Sequence, residues 1–238
     1  YLVRGSEKTA LFETCKLEFW DEYIANIREV CDPSEIDYIV VNHTEPDHAG
    51  CMERILELAP NAKVLGSSTA LTFLKEIVNH PFASQAVTEA DQIDLGGLTL
   101  TFLSVPFLHW PDSMYTYIPE LKALFSCDSF GCHYADDRVF NDLIEGDFTD
   151  AYLYYFTHII GPFKRPFMTK ALDKIAALDI QFIGNGHGPV LRSNIQKYLD
   201  MYREWCAPQP KNGKEVVIAY VSAYGYTRSL AEAIAKGV

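Results

Sequence analysis

The segment Asn42-His43-Thr44-Glu45-Pro46-Asp47-His48-Ala49-Gly50 decides how this chain is interpreted. It follows Asp37 to Asn42 (DYIVVN), a short and almost wholly apolar run that is typical of a strand covered on both faces. Ala49 to Leu58 then predicts a helix. The segment is therefore a strand-to-helix loop, and such loops bind ligands in open α/β sheets.

This loop carries four side chains that can bind a metal, all within six residues: His43, Glu45, Asp47 and His48. In a plainer interpretation the loop is a solvated polar turn in which an Asp or Thr caps the following helix. Pro46 favours the metal site, because it stiffens the loop at the centre of the cluster and a site with several ligands needs fixed geometry.

Three later positions repeat the pattern of a His or Asp at the end of a predicted strand. His109 follows Leu98 to Val105, Asp128 follows Ala123 to Cys127, and His187 follows Gln181 to Gly184. A single His is more often a core residue than a ligand, but three strand ends with the same feature favour ligands. The glycines on either side of His187 would let the backbone approach closely.

The pattern His43-x-Glu45-x-Asp47-His48, followed by distant His109, Asp128 and His187, resembles the flavodiiron proteins. These belong to the metallo-β-lactamase superfamily, whose hydrolases carry His where this chain has Glu45. The resemblance implies an α/β fold, an αββα sandwich with a two-metal site at the sheet edges. It also implies that all seven positions are catalytic metal ligands: His43, Glu45 and His109 hold one iron, Asp47, His48 and His187 hold the other, and Asp128 bridges.

The types of donor atom do not by themselves decide which metal binds. Imidazole and carboxylate without thiolate suit iron as well as zinc. Glu45 adds a third carboxylate, however, and the extra negative charge compensates a metal that must reach the ferric state. Zinc has no redox role, so the substitution favours iron.

The last residues predict a strand over Glu215 to Val221, a loop over Ser222 to Thr227 and a helix over Arg228 to Lys236. This unit resembles the phosphate-binding loop of flavodoxins, in which hydroxyls and backbone N–H groups hold a phosphate at a helix N-terminus. Flavodiiron proteins join the two modules in this order. The resemblance implies FMN in the complete protein, with phosphate contacts from Ser222, Tyr224, Gly225 and Thr227.

We therefore expect a diiron domain over residues 1–207, a Pro- and Gly-containing linker over 208–214, and the incomplete start of a flavodoxin-like domain over 215–238. Both ends look cut, because Tyr1 to Arg4 reads as a strand already under way and the final strand, loop and helix have no sheet to join. A helix is also predicted over Arg138 to Glu145, and helical pattern covers much of Asp150 to Leu178.

Composition narrows the partners. The 238 residues carry 20 Lys plus Arg against 32 Asp plus Glu, a net charge of −12, which argues against a nucleic-acid partner. No apolar run of membrane-spanning length occurs, so no membrane partner is expected.

The six cysteines form no CxxC pair, which favours a reducing, cytoplasmic location. Cys127 and Cys132 are close enough for a redox pair, but ordinary buried thiols are commoner.

The function implied by the resemblance is reduction of dioxygen to water, or of nitric oxide, with electrons from FMN. It further implies a head-to-tail homodimer and an electron donor protein or an NAD(P)H-linked flavin reductase module. Trp110 to Tyr115 and Gly161 to Pro166 look most like the cyanobacterial, photosynthetic type. A zinc hydrolase and a non-catalytic dimer partner are the alternatives. Four further side chains are candidates for the surroundings of the site: Trp110, His133, Tyr155 and His158.

Overall fold

Two five-stranded sheets form the first of two units in the computed structural model, which describes residues 1–208 and 216–237. The first sheet has its strands in chain order: β1 (Leu2–Arg4), β2 (Thr9–Phe12), β3 (Tyr38–Val41), β4 (Lys63–Gly66) and β5 (Ser84–Ala86). β1 is antiparallel to β2, and the remaining neighbours are parallel. The carboxyl ends of β2, β3 and β4 therefore share one edge.

The second sheet is mostly antiparallel. Its strands are β6 (Gln92–Asp94), β7 (Thr99–Ser104), β8 (Met114–Ile118), β9 (Ala123–Cys127) and β10 (Phe182–Asn185). They lie in the order β10-β9-β8-β7-β6, and only β9 and β10 are parallel neighbours. Because β7, β9 and β10 run in the same direction, their carboxyl ends also share one edge.

Helices cover the outer faces of both sheets in the first unit, Tyr1–Cys206. They are α1 (Trp20–Val30), α2 (Pro46–Ala49), α3 (Met52–Leu58), α4 (Ser68–Ile77), α5 (Thr149–Tyr155), α6 (Thr169–Ile175) and α7 (Ile195–Cys206). Short 3₁₀ turns precede α1, β3 and β9, and residues 156–168 between α5 and α6 are irregular helical turns. The helical pattern predicted over Asp150 to Leu178 is thus confirmed in large part.

The core shows how the layers are stacked. Along β3, Val40 packs in a cluster with residues of the second sheet such as Phe125, whereas Ile39 and Val41 pack against α1, α3 and α4. This alternation follows from the two-residue period of a strand. A third cluster joins the outer face of the second sheet to α5, α6 and α7. The expected αββα sandwich is confirmed.

The helix predicted over Arg138 to Glu145 is wrong. This segment is a run of turns in which Phe140 forms a bridge with Val190. The Asn141 side chain also binds the backbone of Arg192 and Ser193. These contacts with a distant part of the chain replace the helical hydrogen bonds that the local pattern favoured.

The second unit, Ala207–Val238, contains α8 (Tyr226–Ala235), as predicted. The strand predicted over Glu215 to Val221 is wrong for 216–221, which have no regular structure. A strand needs a neighbour to complete its hydrogen bonds, and none pairs with these residues in the part of the chain that is described. The predicted linker lies largely outside the described residues, as does Glu215.

Among the described residues, no helix is both long enough and apolar enough to cross a membrane.

Candidate metal centre

The loop after β3 forms one turn of helix that presents its ligands together. Pro46 occupies the first position of α2, where a residue without an N–H costs nothing, and Glu45 precedes it. The backbone N–H of His48 donates to the Glu45 carbonyl at 2.8 Å. His43 and Glu45 thus lie before the turn and Asp47 and His48 lie within it. The strand-to-helix loop predicted from the sequence is confirmed.

The other three predicted residues come from the second sheet. His109 lies in the loop after β7, Asp128 follows β9 directly, and His187 lies just beyond β10. The aligned carboxyl ends of these strands bring the three side chains to the loop from the first sheet. All seven predicted positions therefore meet at one edge of the sandwich.

One group of donors consists of His43, Glu45, His109 and Asp128. Nε2 of His109 lies 2.9 Å from Glu45 Oε2 and 3.0 Å from Asp128 Oδ2. Nε2 of His43 lies 3.4 Å from the same Glu45 oxygen and 3.6 Å from the same Asp128 oxygen. Two imidazoles and two carboxylates thus enclose a common point.

A second group consists of Asp47, His48 and His187, with Asp128 again at its side. Nε2 of His48 lies 2.9 Å from Asp128 Oδ1, and Nε2 of His187 lies 3.2 Å from the same oxygen. Asp47 Oδ2 lies 3.6 Å from His48 Nε2 and 3.3 Å from His187 Nε2. This group mirrors the first.

Asp128 stands between the two groups and offers one oxygen to each. Oδ2 faces His43 and His109, whereas Oδ1 faces His48 and His187. The side chain is only 2% exposed. A bridging carboxylate has this geometry.

These spacings fit metal ions. Ligand atoms about 2.0–2.2 Å from one metal lie about 2.8–3.6 Å from each other in octahedral or tetrahedral sites. The donor pairs here lie 2.9–3.6 Å apart. Asp47 Oδ1 is also buried and has no hydrogen-bond partner in the described part of the chain, which leaves it available to a cation. The donor set therefore fits two ions.

The pKa values of the donor groups also support a site for two metal ions. Burial alone would lower the pKa of His43, but hydrogen bonds to Asp112 and Glu45 and the charge of Asp128 outweigh it and raise that pKa to about 9. His187 behaves alike: hydrogen bonds to Asp128 and Asp47 overcome burial and raise its pKa to about 9. Burial would raise the pKa of Asp128, but its histidine partners hold it well below the usual range. The carboxylates thus demand positive charge, which protons or metal ions supply.

Two further carboxylates hold the histidines from behind, and the sequence interpretation missed both. Asp112 Oδ2 lies 3.3 Å from His43 Nδ1 and accepts hydrogen bonds from the Thr44 N–H at 2.7 Å and hydroxyl at 2.8 Å. Glu13 Oε2 lies 2.6 Å from His48 Nδ1. In the structure Glu13 directly follows β2, so the strand-end signal that found the ligands could have found it; no comparable signal marks Asp112.

Replacing Asp112 with alanine is expected to destabilise the metal-free chain by about 2–4 kcal/mol, because it leaves the buried Thr44 N–H and a protonated His43 without their acceptor. Urea unfolding measures the loss. Asp91→Ala is the matched control, since Asp91 also accepts from the N–H and hydroxyl of a threonine, Thr88, but at the surface. Equal losses in the two variants would contradict the prediction.

Glycine permits the close approach at His187, as predicted. A Cβ on Gly186 would lie 2.6 Å from the His48 ring, and one on Gly188 would lie 2.4 Å from the Cys132 carbonyl oxygen. Gly188 also has φ +75°, which side-chain-bearing residues rarely adopt. The loop after β10 reaches the second donor group because of these two residues.

The candidates for the surroundings of the site separate into two sets. The rings of Trp110, Tyr155 and His133 lie near the centre: Trp110 is 5.1 Å from His43, and Tyr155 and His133 are 5.8 and 5.7 Å from His187. His158 is not among them, because its ring stacks on exposed Tyr154 and its Nδ1 contacts the Tyr154 carbonyl.

All six cysteines are free thiols. The sulfur of Cys127 contacts Glu13, His48 and Asp128. Among the described residues, the sulfur atoms of Cys15 and Cys51 lie 3.7 Å apart. Cys127 and Cys132 are both buried free thiols, which is the alternative that the sequence favoured over a redox pair.

In the second unit, Gly225 precedes α8 with φ +88° and its carbonyl accepts from the Ser229 N–H at 3.0 Å. Ser222 Oγ has no hydrogen-bond partner among the described residues, while Tyr224 is exposed. The predicted loop residues Ser222, Tyr224, Gly225 and Thr227 thus lie at or just before the helix N-terminus, as expected for a phosphate-binding loop.

Paired histidine and carboxylate groups at the edge of an αββα sandwich define a dinuclear metalloprotein of the metallo-β-lactamase fold. A family model described as "ODP family beta lactamase" matches residues 1–188. The chain is 42% identical over its whole length to diflavin flavoprotein A 1 from Synechocystis and 41% identical to flavo-diiron protein FprA2 from Clostridium acetobutylicum. It belongs to the flavodiiron family, the type A flavoproteins.

A solved structure agrees. Rubredoxin oxygen:oxidoreductase from Desulfovibrio gigas superposes with a TM-score of 0.83 at 32% identity, covering 89% of this chain and 54% of that one. The chain spans 41% of the Synechocystis protein and 60% of the Clostridium protein. It therefore corresponds to about half of the proteins that it resembles.

Proposed function

We propose that this chain holds the diiron centre of an oxidoreductase that reduces dioxygen to water, with nitric oxide as a second substrate and FMN as the source of electrons. The placement of Asp128 between two histidine–carboxylate groups carries the proposal. In the ligand set that we propose, His43, Glu45 and His109 hold one iron, Asp47, His48 and His187 hold the other, and Asp128 bridges them.

When bound, a pair of irons supplies both a place for a diatomic molecule and electrons to reduce it. The residues of this chain determine where that molecule enters. Glu45 is 34% exposed and His187 is 26% exposed, whereas His43 is fully buried. The substrate therefore approaches across Glu45, Asp47 and His187, and the buried side keeps the remaining donors away from water.

The second unit supports the flavin part of the proposal. The Ser222 hydroxyl, which has no partner among residues 1–208 and 216–237, and the N-terminus of α8 suit a phosphate dianion. We assign Ser222, Tyr224, Gly225 and Thr227 to the FMN phosphate in the whole protein. In this proposal residues 1–207 are the diiron domain and 215–238 begin a flavodoxin-like domain.

The remaining parts of the proposal concern the whole protein. A head-to-tail homodimer would place the FMN of one subunit beside the diiron centre of the other, with electrons from a donor protein or an NAD(P)H-linked flavin reductase module. Free cysteines throughout favour a reducing cytoplasm. The cyanobacterial type stays a proposal, because the Clostridium relative is as similar as the Synechocystis one.

Measuring the metal and flavin content of the purified chain tests the proposed function. Purified anaerobically from iron-replete cells, the chain is expected to carry about two irons and to give the spectrum of a spin-coupled pair. Dioxygen uptake with photoreduced FMN should then proceed with little release of peroxide. Zinc at both positions, with hydrolysis of a thioester or phosphodiester, would favour the hydrolase, and a folded chain without metal would favour a non-catalytic subunit.

A further inference from the structure

Glu13 contacts the candidate metal centre but is not one of the seven proposed ligands. Its Oε2 lies 2.6 Å from Nδ1 of His48, and its side chain is 12% exposed. The other nitrogen of the same ring, Nε2, faces Asp47 and Asp128. One carboxylate thus engages the face of the imidazole that points away from the proposed metal.

The backbone is shaped to make this contact. Glu13 follows β2 with φ +59°, in the left-handed region that few residues other than glycine adopt. Its N–H donates to the Val40 carbonyl at 2.9 Å, and its carbonyl accepts from the Tyr23 hydroxyl at 2.8 Å. The strand therefore ends in a fixed bend that turns the carboxylate toward His48.

The next residue attaches the same bend to the metal-binding loop. Both the N–H and the hydroxyl of Thr14 donate to the His48 carbonyl, at 2.7 and 2.9 Å. The backbone and the ring of His48 are thus held by two consecutive residues of one strand end. A small movement of that strand end would move the imidazole with it.

We propose that Glu13 is a positioning residue for the second metal, which fixes the ring of His48 and keeps its proton on Nδ1 so that Nε2 is free to bind. This inference rests on the proposed ligand set. A metal-bound histidine commonly donates its other N–H to a carboxylate, which sets its tautomer and increases its basicity. Asp112 offers the same contact to His43, so each metal would have one histidine anchored by a carboxylate.

The thiol of Cys127 does not compete for this role. Its sulfur lies 3.4 Å from Glu13 Oε2 and 3.5 Å from His48 Nδ1. The thiol donates to Glu13 Oε2, which leaves the carboxylate as the acceptor for the imidazole.

Anaerobic titration of the full chain with ferrous iron against a chromophoric chelator tests the proposal. Glu13→Ala is expected to weaken binding at the Asp47–His48–His187 position about 10–100-fold while the other iron binds as in the parent chain. Glu13→Gln keeps an acceptor oxygen and should recover most of that affinity. Glu53→Gln, which alters a carboxylate bound to Asn79, is the control and should leave both affinities unchanged.

Imidazole NMR of the zinc-loaded chain separates positioning from general stability. The Nδ1 proton of His48 is expected far downfield in the parent, shifted upfield in Glu13→Gln and absent in Glu13→Ala. Unchanged affinity for both irons in Glu13→Ala, or an equal loss at both positions, would overturn the role of Glu13. A parent chain that binds no metal pair would instead overturn the proposed function.

Discussion

Replacing Asp128 with alanine is expected to weaken the binding of both metal ions together. Each oxygen of this carboxylate serves a different pair of histidines, so its removal takes one ligand from each ion. It also reduces the carboxylate charges that compensate the two dications from three to two. We expect the affinity for each ion, and with it dioxygen reduction, to fall at least about 100-fold. Metal analysis and dioxygen uptake measure the two losses.

The variant Asp128→Asn sharpens this test because it preserves the shape of a side chain that is almost fully buried. The amide retains one acceptor oxygen and places an NH₂ group toward the other ion, so we expect about one metal ion per chain. Asp136→Asn is the control, since this carboxylate pairs with Arg138 and belongs to neither donor group. Two tightly bound ions in Asp128→Ala would exclude the bridge.

The second large effect is a pH dependence of stability that is present in the metal-free chain and disappears when metal binds. In the metal-free chain, carboxylates raise the pKa values of His43 and His187 to about 9. The stabilisation is complete below the unfolded pKa of about 6.5 and is lost as pH rises toward about 9, at up to about 1.4 kcal/mol per pH unit for each histidine. Metal ions bind the deprotonated rings, and the histidines of the unfolded chain are also largely deprotonated above about pH 6.5, so the stability of the metal-saturated chain should stay nearly constant over this window.

Urea unfolding with a chelator and with saturating zinc, at several pH values across the window, measures both slopes. The same thiols titrate in both samples, so the difference between the slopes isolates the metal centre. Calorimetry in buffers of different ionisation enthalpy should also record protons released on metal binding. Parallel slopes in the two samples would show that these histidines are not metal ligands.

Much of the centre was predictable from local sequence, for a physical reason. Parallel strands align their carboxyl ends, so a His or Asp placed just after a buried strand lies at a shared edge whatever the details of packing. His43, His109, Asp128 and His187 all carried this signal. The division into two groups and the bridging role of Asp128 came instead from the family resemblance, because spacing along the chain does not specify which oxygen faces which ring.

The features that the sequence did not predict correctly share a different cause. Asp112 binds the backbone of Thr44, far away in the sequence, and nothing near Asp112 marks it as buried. The segment 138–145 has a helical pattern but its hydrogen bonds go to residues 190–193. Residues 216–221 are apolar enough for a strand but have no described neighbour to pair with. Contacts between distant segments decide each of these cases.

Each proposed metal group draws donors from both sheets: His43 and Glu45 meet His109 and Asp128, and Asp47 and His48 meet Asp128 and His187. An ion at either position is therefore a cross-link between the two halves of the sandwich. Like a disulfide, such a link closes a long loop, of about 140 residues between Asp47 and His187. Neither link is complete until the sheets have docked, so metal loading and docking of the two sheets are coupled.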